Sequence, residues 1–300
     1  MAVFTITGAT GSIGKEVIKN LLRSGHEVRV LSTRKELQWK GVYTFYWNPV
    51  EGEIDHLALE GSDYLIHLAG ASVSKRWTPA YKRKINDSRV YTSKVLLDAM
   101  NNVKKGPKSC VSASAIGYYG GSSSKLLTEQ APPANDFLAS VTKNWERYTR
   151  MFESYDRRSV QLRIGIVLNK GAGVLGKLVP LAQAGLASPL GSGKQWTSWI
   201  HVEDLAKMFI YCATSDVPSG AYNAVASTPL SNKSFIKKLC KVLQRPMILP
   251  SVPAFLLKIF LGEMATLALM SQKVSNAKVL KTGFVFKHEA IVPALQSILK

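Results

Sequence analysis

Thr7-Gly8-Ala9-Thr10-Gly11-Ser12-Ile13-Gly14 follows a short apolar run at 3–7 and opens a segment in which Ile13, Val17, Ile18, Leu21 and Leu22 recur at helical spacing as far as Ser24-Gly25. Strand, GxxGxxG turn and helix, in that order, are the context in which a glycine pattern reads as a dinucleotide fingerprint. Gly8 permits the tight turn, Gly11 lets the main chain approach a pyrophosphate, and Gly14 lets helix and strand pack closely. Thr10, Ser12 and Ile13 complete the cradle, since unpaired N–H groups and the positive dipole end of a helix favour phosphate. Glycines serving only a tight turn are the plain alternative, and it leaves the spacing of the three unexplained.

Outward from this turn, strand-like and helix-like stretches alternate. Residues 27–32, 42–47 and 63–68 read as the second, third and fourth strands, followed by helix 79–102, strand 108–113, helix 136–155 and strand 159–168. Near-continuous apolar strands suit a parallel sheet covered on both faces. The expected fold is therefore α/β, a Rossmann-type doubly wound parallel sheet, with a smaller C-terminal α/β substrate domain. The carboxylate that normally meets the adenosine ribose of NAD, about 20 residues past the glycine turn, is replaced by Ser32-Thr33-Arg34-Lys35. Hydroxyls and a guanidinium suit a 2′-phosphate, so Thr33 and Arg34 point to NADP(H) rather than NAD(H). Exposed loop cations in a basic protein are the competing explanation.

Beyond Asn169 the texture changes. Gly171, Gly173, Gly176, Gly185, Gly191 and Gly193, with Pro180 and Pro189, mark 169–200 as a glycine-rich loop region suited to a lid or substrate loop. A helix at 203–214 and a strand at 222–225 return to the sheet. The domain boundary is placed at 226, giving a cofactor domain at 1–226 and a small domain at 227–300.

The 300 residues carry 39 basic and 20 acidic side chains, a net +19, which favours anionic partners. Residues 230–300 hold eleven Lys/Arg against Glu263 and Glu289. Lys233, Lys237, Lys238 and Lys241 alternate with Phe235, Ile236, Leu239, Val242 and Leu243, placing the lysines on the outer face of an amphipathic helix. A solvated basic face is the main reading; nucleic acid or anionic lipid is the lesser one. The apolar stretch 251–270 is broken by Lys258 and Glu263, so no membrane span is expected. No signal peptide is evident, and Cys110, Cys212 and Cys240 lie far apart as packing residues, so a cytoplasmic location is expected. No metal site is expected from His26, His56, His67, His201 and His288, which lack HxxxH or HExxH spacing.

The glycine turn, His67-Leu68-Ala69-Gly70, Ser112-Ala113-Ser114-Ala115 and Trp199-Ile200-His201-Val202-Glu203-Asp204-Leu205-Ala206 resemble an extended short-chain dehydrogenase/reductase. Lys75-Arg76-Trp77, Asp87-Ser88-Arg89, Ala115-Ile116-Gly117-Tyr118-Tyr119-Gly120, Trp145-Glu146, Gly173-Val174-Leu175-Gly176-Lys177 and Gly191-Ser192-Gly193 are similar to one branch, the atypical "epimerase family" proteins described as sugar-nucleotide epimerase-like. Residues 245–284 resemble that branch's small C-terminal domain. The resemblance implies that Leu68, Ala69 and Gly70 line the adenine and ribose side of the crevice. It makes Arg89 a phosphate or ribose contact and sets Val167 near the nicotinamide, although Val167 also reads as a core strand residue. Arg76 and Trp77 are substrate contacts or, for Trp77, a buried anchor.

A standard member of this superfamily carries Tyr-x-x-x-Lys on one helical face, where the ammonium lowers the phenol's pKa. Here Lys143 matches the lysine, but the residue four earlier is Ala139. Ser114 aligns with the superfamily's serine, and Tyr118 or Tyr119 supplies a phenol after the strand; pocket lining and a strand-end hydrogen bond are the plain roles for these groups. The leading function is thus an NADP(H)-dependent oxidoreductase or epimerase-like enzyme acting on a small anionic or carbonyl substrate, with Ser114, Tyr118 and Lys143 as the catalytic candidates. A non-catalytic NADP(H)-binding structural or redox-sensing protein is the alternative. A homodimer is compatible with either.

Overall fold

The computed structural model describes residues 1–35, 37–121 and 125–300. Its first half comprises β1 (Val3–Thr7), α1 (Ser12–Arg23), β2 (Glu27–Ser32), β3 (Tyr43–Asn48), β4 (Glu53–Ile54), β5 (Tyr64–His67), α2 (Pro79–Ala99), β6 (Ser109–Ala115), β7 (Leu126–Leu127), α3 (Phe137–Arg150) and β8 (Arg158–Ile164). The second half contains β9 (Ile166–Asn169), α4 (Gly173–Gln183), β10 (Trp196–Thr197), β11 (Trp199–His201), α5 (Val202–Thr214), β12 (Gly220–Ala224) and β13 (Leu230–Ser231). It ends with α6 (Asn232–Val242), α7 (Ala254–Leu261), α8 (Ala265–Leu269), β14 (Lys273–Val274), α9 (Ala277–Leu280) and α10 (Ile291–Leu299).

The main sheet has the order β12-β8-β6-β5-β1-β2-β3-β4, parallel throughout except for the short β4. Strand order reverses between β1 and β5, which pair in register Ile6 to Ile66. That switch point opens a crevice at the strands' carboxyl ends. Successive strand residues serve opposite faces. Ile66, Phe4 and Val160 pack with Val17, Ile18 and Leu21 of α1 and Leu205 and Phe209 of α5. Leu65 and Cys110 pack on the other face with Leu96 of α2 and Phe152. Helix starts are chemically marked: Thr78 caps α2 ahead of Pro79, and the Asp136 carboxylate accepts from the Ala139 amide at 2.9 Å.

Two expectations require correction. Strand 159–168 is broken at Gly165, where a Cβ would lie 2.7 Å from the Ser198 carbonyl oxygen; the chain leaves the main sheet there and β9 pairs with β11. Region 169–200 is not loop throughout. Gly171 and Gly173, both at positive φ, close a tight turn, after which Leu175 and Ala182 of α4 are buried. Leu178 and Val179 add to this stripe, which packs with Leu168, Trp199, Phe235, Ile236, Leu239 and Leu295 in a second core. Residues on both sides of position 226 therefore share one apolar cluster. The small C-terminal α/β region is mostly helical, its strands β13 and β14 pairing with β10 and β7. As expected for α6, Phe235, Ile236, Leu239 and Val242 are buried, while Lys233, Lys237 and Lys241 are exposed.

Fully buried His67 fastens the switch point. Its Nδ1 lies 2.7 Å from Thr7 Oγ1 and its Nε2 3.2 Å from Ser93 Oγ, while Thr7 Oγ1 also accepts from the amides of Leu68 and Ala69. Burial first, and then the Arg89 charge, push the imidazole down from 6.5 to about 3. The unfolded chain therefore binds a proton near pH 6.5 that the folded chain refuses until about pH 3, so stability falls as pH drops through this window. Urea midpoints at pH 7 and pH 4.5 check this. His67→Asn is expected to narrow the difference between them, and an unchanged difference would contradict the assignment.

Candidate functional site

The glycine turn lies at the crevice. Gly8 has φ +70°, and a Cβ there would stand 2.7 Å from the Leu68 carbonyl carbon. At Gly14 a Cβ would meet the Gly8 carbonyl oxygen at 2.6 Å and Ala9 Cα at 2.7 Å. Gly11 is the N-cap of α1 with no side-chain cap, and the first turn carries no acidic residue. The amides of Ser12, Ile13 and Gly14 are thus first-turn donors facing the exposed turn. A cleft of about 210 Å³ follows, lined by Gly8, Thr10, Ser32, Thr33, Arg34 and Gly70 among others. Thr33 and Arg34 are exposed, and the Arg34 amide donates to Ser32 Oγ at 3.0 Å, bending the chain over the cleft.

Across the crevice, Leu68 and Ala69 are half-buried and Gly70 is exposed. A Cβ on Gly70 would come within 3.1 Å of Arg89 Cζ. Arg89 lies 4.8 Å above the Trp145 ring and donates from Nη1 to the carbonyls of Ala71 and Ile85. Its Nε and Nη2 have no partner among the described residues. Burial lowers this guanidinium to about 10, which leaves it a cation at neutral pH. The structure thus gathers Gly8, Thr10, Gly11, Ser12, Ile13, Gly14, Thr33, Arg34, Leu68, Ala69, Gly70 and Arg89 about one crevice. Val167 is half-buried against the main core, the position of its strand reading.

The catalytic candidates divide. Ser114, at the carboxyl end of β6, is buried and donates from Oγ to Glu146 Oε1 at 2.7 Å. Glu146, also buried, takes a bidentate pair from Arg163, Nε to Oε1 at 2.8 Å and Nη2 to Oε2 at 2.9 Å, plus Arg150 Nη2 at 3.1 Å. Arg163 Cζ lies 3.5 Å from the centroid of Tyr118 and donates from Nη1 to Tyr119 Oη. Tyr119 in turn donates to Asn223 Oδ1 at 2.6 Å, and burial pushes its phenol up to about 12. Ser114 and Tyr118 are therefore joined through Glu146 and Arg163. Lys143 is not: it is exposed on α3, whose buried face presents Leu138, Ala139, Thr142, Trp145 and Glu146, and no described residue bonds to it. Trp77 is buried, its ring edge-to-face with Phe137 at a centroid separation of 5.2 Å, the anchor role.

Sequence reasoning missed the Glu146–Arg163 pair, since Trp145-Glu146 drew attention only through the family resemblance and Arg163 stands 17 residues further on, in another element. It also missed a group of possible metal ligands, His201, Glu203 and His288, because 85 residues separate the last two. The two imidazoles stack with centroids 3.7 Å apart. His201 Nδ1 already accepts from the Glu203 amide, and Glu203 Oε2 is held by His288 Nε2 and Lys287 Nζ, so these groups satisfy one another. A larger cleft of about 510 Å³, lined by Gly121, Asp136, Lys258, Glu263, Thr266 and Met270 among others, shares no residue with the cleft at the glycine turn.

With this geometry in place, residues 4–224 match the NAD dependent epimerase/dehydratase family. The chain belongs to that family. Residues 252–298 match a domain of unknown function, DUF1731. This epimerase-family chain is 37% identical to the chloroplastic epimerase family protein SDR39U1 homolog of Arabidopsis thaliana, over 99% of this chain and 86% of the relative. It is 31% identical to an epimerase family protein of Staphylococcus aureus, with all of both chains covered. Human epimerase family protein SDR39U1, crystallised with NADPH, superposes with a TM-score of 0.88 at 27% identity, covering 99% of this chain and 98% of the human one. No helix among the described residues of this family member is long and apolar enough to cross a membrane.

Removing the Glu146 carboxylate leaves Arg163 buried and uncompensated. Glu146→Ala is expected to cost about 3–5 kcal/mol in urea unfolding; a loss below about 1 kcal/mol, the range of surface pairs, would show the pair to be structurally dispensable.

Proposed function

We propose that the protein binds NADP(H) at the β1–α1 turn and acts as an oxidoreductase or epimerase-like enzyme on a carbonyl or alcohol carbon, sugar nucleotides included. The observation that carries this reading is the cradle in which Gly8 and Gly14 leave no room for a Cβ and the first turn of α1 has neither a side-chain cap nor an acidic residue. The residues fit the cofactor. Amides of Ser12 and Ile13 would hold the diphosphate, which approaches over Gly11, Thr33 and Arg34 the adenosine 2′-phosphate, and Arg89 a phosphate or ribose oxygen beside Gly70. The NADPH of the human relative's crystal structure supports the same choice.

Bound nicotinamide supplies hydride exchange with the substrate carbon. This chain's side chains supply position and a proton route. Tyr118 is the phenol with surface access, whereas Tyr119 is closed in by Asn223 and Arg163. Ser114, with its hydrogen turned to Glu146, accepts rather than donates. Lys143, exposed on α3, is left to meet a ribose or substrate oxygen. Segment 169–200, packed on α6, belongs with 227–300 as the substrate side of the crevice.

A second reading, a non-catalytic NADP(H)-binding protein, is favoured by Ala139 standing in the tyrosine's place and by the engagement of Ser114 with Glu146. NADPH oxidation across a panel of carbonyls and sugar nucleotides separates the two: tight binding without turnover supports the second. Arg34→Glu is expected to weaken NADPH at least about tenfold while sparing NADH, the loss of one charge-assisted hydrogen-bonded contact. An unchanged NADPH/NADH ratio in fluorescence titration would overturn the 2′-phosphate assignment.

A further inference from the structure

Helix α7, Ala-Phe-Leu-Leu-Lys-Ile-Phe-Leu, is almost wholly apolar and contains no buried residue. Phe255, Ile259 and Phe260 are 62%, 68% and 77% exposed, and Ile248 on the approach is 74% exposed. Phe255 and Ile259 are neighbours on one helical face. The helix is not a frayed end. Before it, the Gly191 amide donates to the Val252 carbonyl and the Val252 amide to Pro189, each at 2.8 Å. After it, Met264 and Ala265 are buried and Glu263 pairs with Lys82 at 2.6 Å. An apolar knob held at both ends in a basic protein calls for a partner.

We propose that α7 docks the protein on the surface of an anionic phospholipid bilayer. Charge favours this occupant. Residues 230–300 carry eleven Lys/Arg against two carboxylates. Exposed Lys233, Lys237 and Lys241 line α6, and the start of α6 is tied to the loop that anchors α7: Asn232 Oδ1 accepts from the Leu190 amide at 2.8 Å, and Gly193 accepts from the Lys233 amide at 2.9 Å. Phe and Leu side chains beside a basic surface suit the acyl–headgroup boundary, with phosphates drawn to the lysines. A second copy is the poorer occupant because two chains that each carry a net charge of +19 repel one another. Eight residues of helix span only about 12 Å, so the helix lies in the interface and does not cross it.

Sedimentation of the full chain with phosphatidylglycerol-containing or pure phosphatidylcholine vesicles tests it. The wild type is expected to co-sediment with the anionic vesicles at low salt, to release at about 0.5 M salt where charges are strongly screened, and to ignore the neutral ones. Ile259→Ser/Phe260→Ser, both exposed and outside the glycine crevice, is expected to bind at least about tenfold more weakly with NADPH affinity unchanged, which confirms the fold. Three results would overturn the proposal: no wild-type binding to anionic vesicles at low salt, undiminished binding by the double variant, or a wild-type dimer that the double variant dissolves without any vesicle binding.

Discussion

At Gly8 and Gly14 the backbones of the turn, of α1 and of the segment after β5 approach so closely that a Cβ at either position would lie under 3 Å from main-chain atoms. This constraint seats the amino end of α1 directly over the switch point of the sheet. Thr7 and His67 hold the other wall in place by tying the amides of Leu68 and Ala69 back to β1. The crevice is thus bounded by backbone on both sides, with its positive character coming from helix amides, Arg34 and Arg89. A phosphate-bearing ligand needs little rearrangement to bind there, which is the physical sense in which the site is preorganised.

The second structural commitment is the ion pair under the carboxyl end of β6. Arg163 is almost fully enclosed, and Glu146 meets it with both oxygens while also taking the Ser114 hydrogen. Such a pair withstands burial because nearly every donor and acceptor is engaged. It also decides what Ser114 can do, since a hydroxyl already donating to a carboxylate has lone pairs to offer and no proton. With Ala139 in α3 where the usual pattern has its tyrosine, the residues around Ser114 depart from that pattern while the glycine turn does not.

Most of the sheet was legible because each parallel strand is covered on both faces and so shows as an apolar run. The turn between β1 and α1 was legible for a related reason: backbones that approach this closely have to be written in glycines. Less visible was α4, whose Leu175, Leu178, Val179 and Ala182 have helical spacing but stand among Gly171, Gly173, Gly176 and Pro180. The break at Gly165 was hidden inside what reads as one apolar strand. Glu146 and Arg163 become partners only when α3 packs beside neighbouring β6 and β8, a relation that no local spacing encodes. His201 and His288 meet for the same reason, through the packing of the chain's last segment on the start of α5.

The claim on which the account rests is that the amino end of α1 receives the cofactor's diphosphate. Calorimetric titration of NADPH into Gly11→Asp tests it most directly. Gly11 has the extended conformation of an N-cap, φ −71° and ψ 166°, and a Cβ there would be 3.3 Å from the Gly8 carbonyl oxygen, so a small adjustment admits it. Aspartate is a favoured cap, and the fold should keep its thermal stability. Its carboxylate would occupy the anion site, and NADPH affinity should fall about a hundredfold or more, two decades per about 2.8 kcal/mol of lost phosphate contact. Wild-type affinity in a stably folded variant would contradict the account.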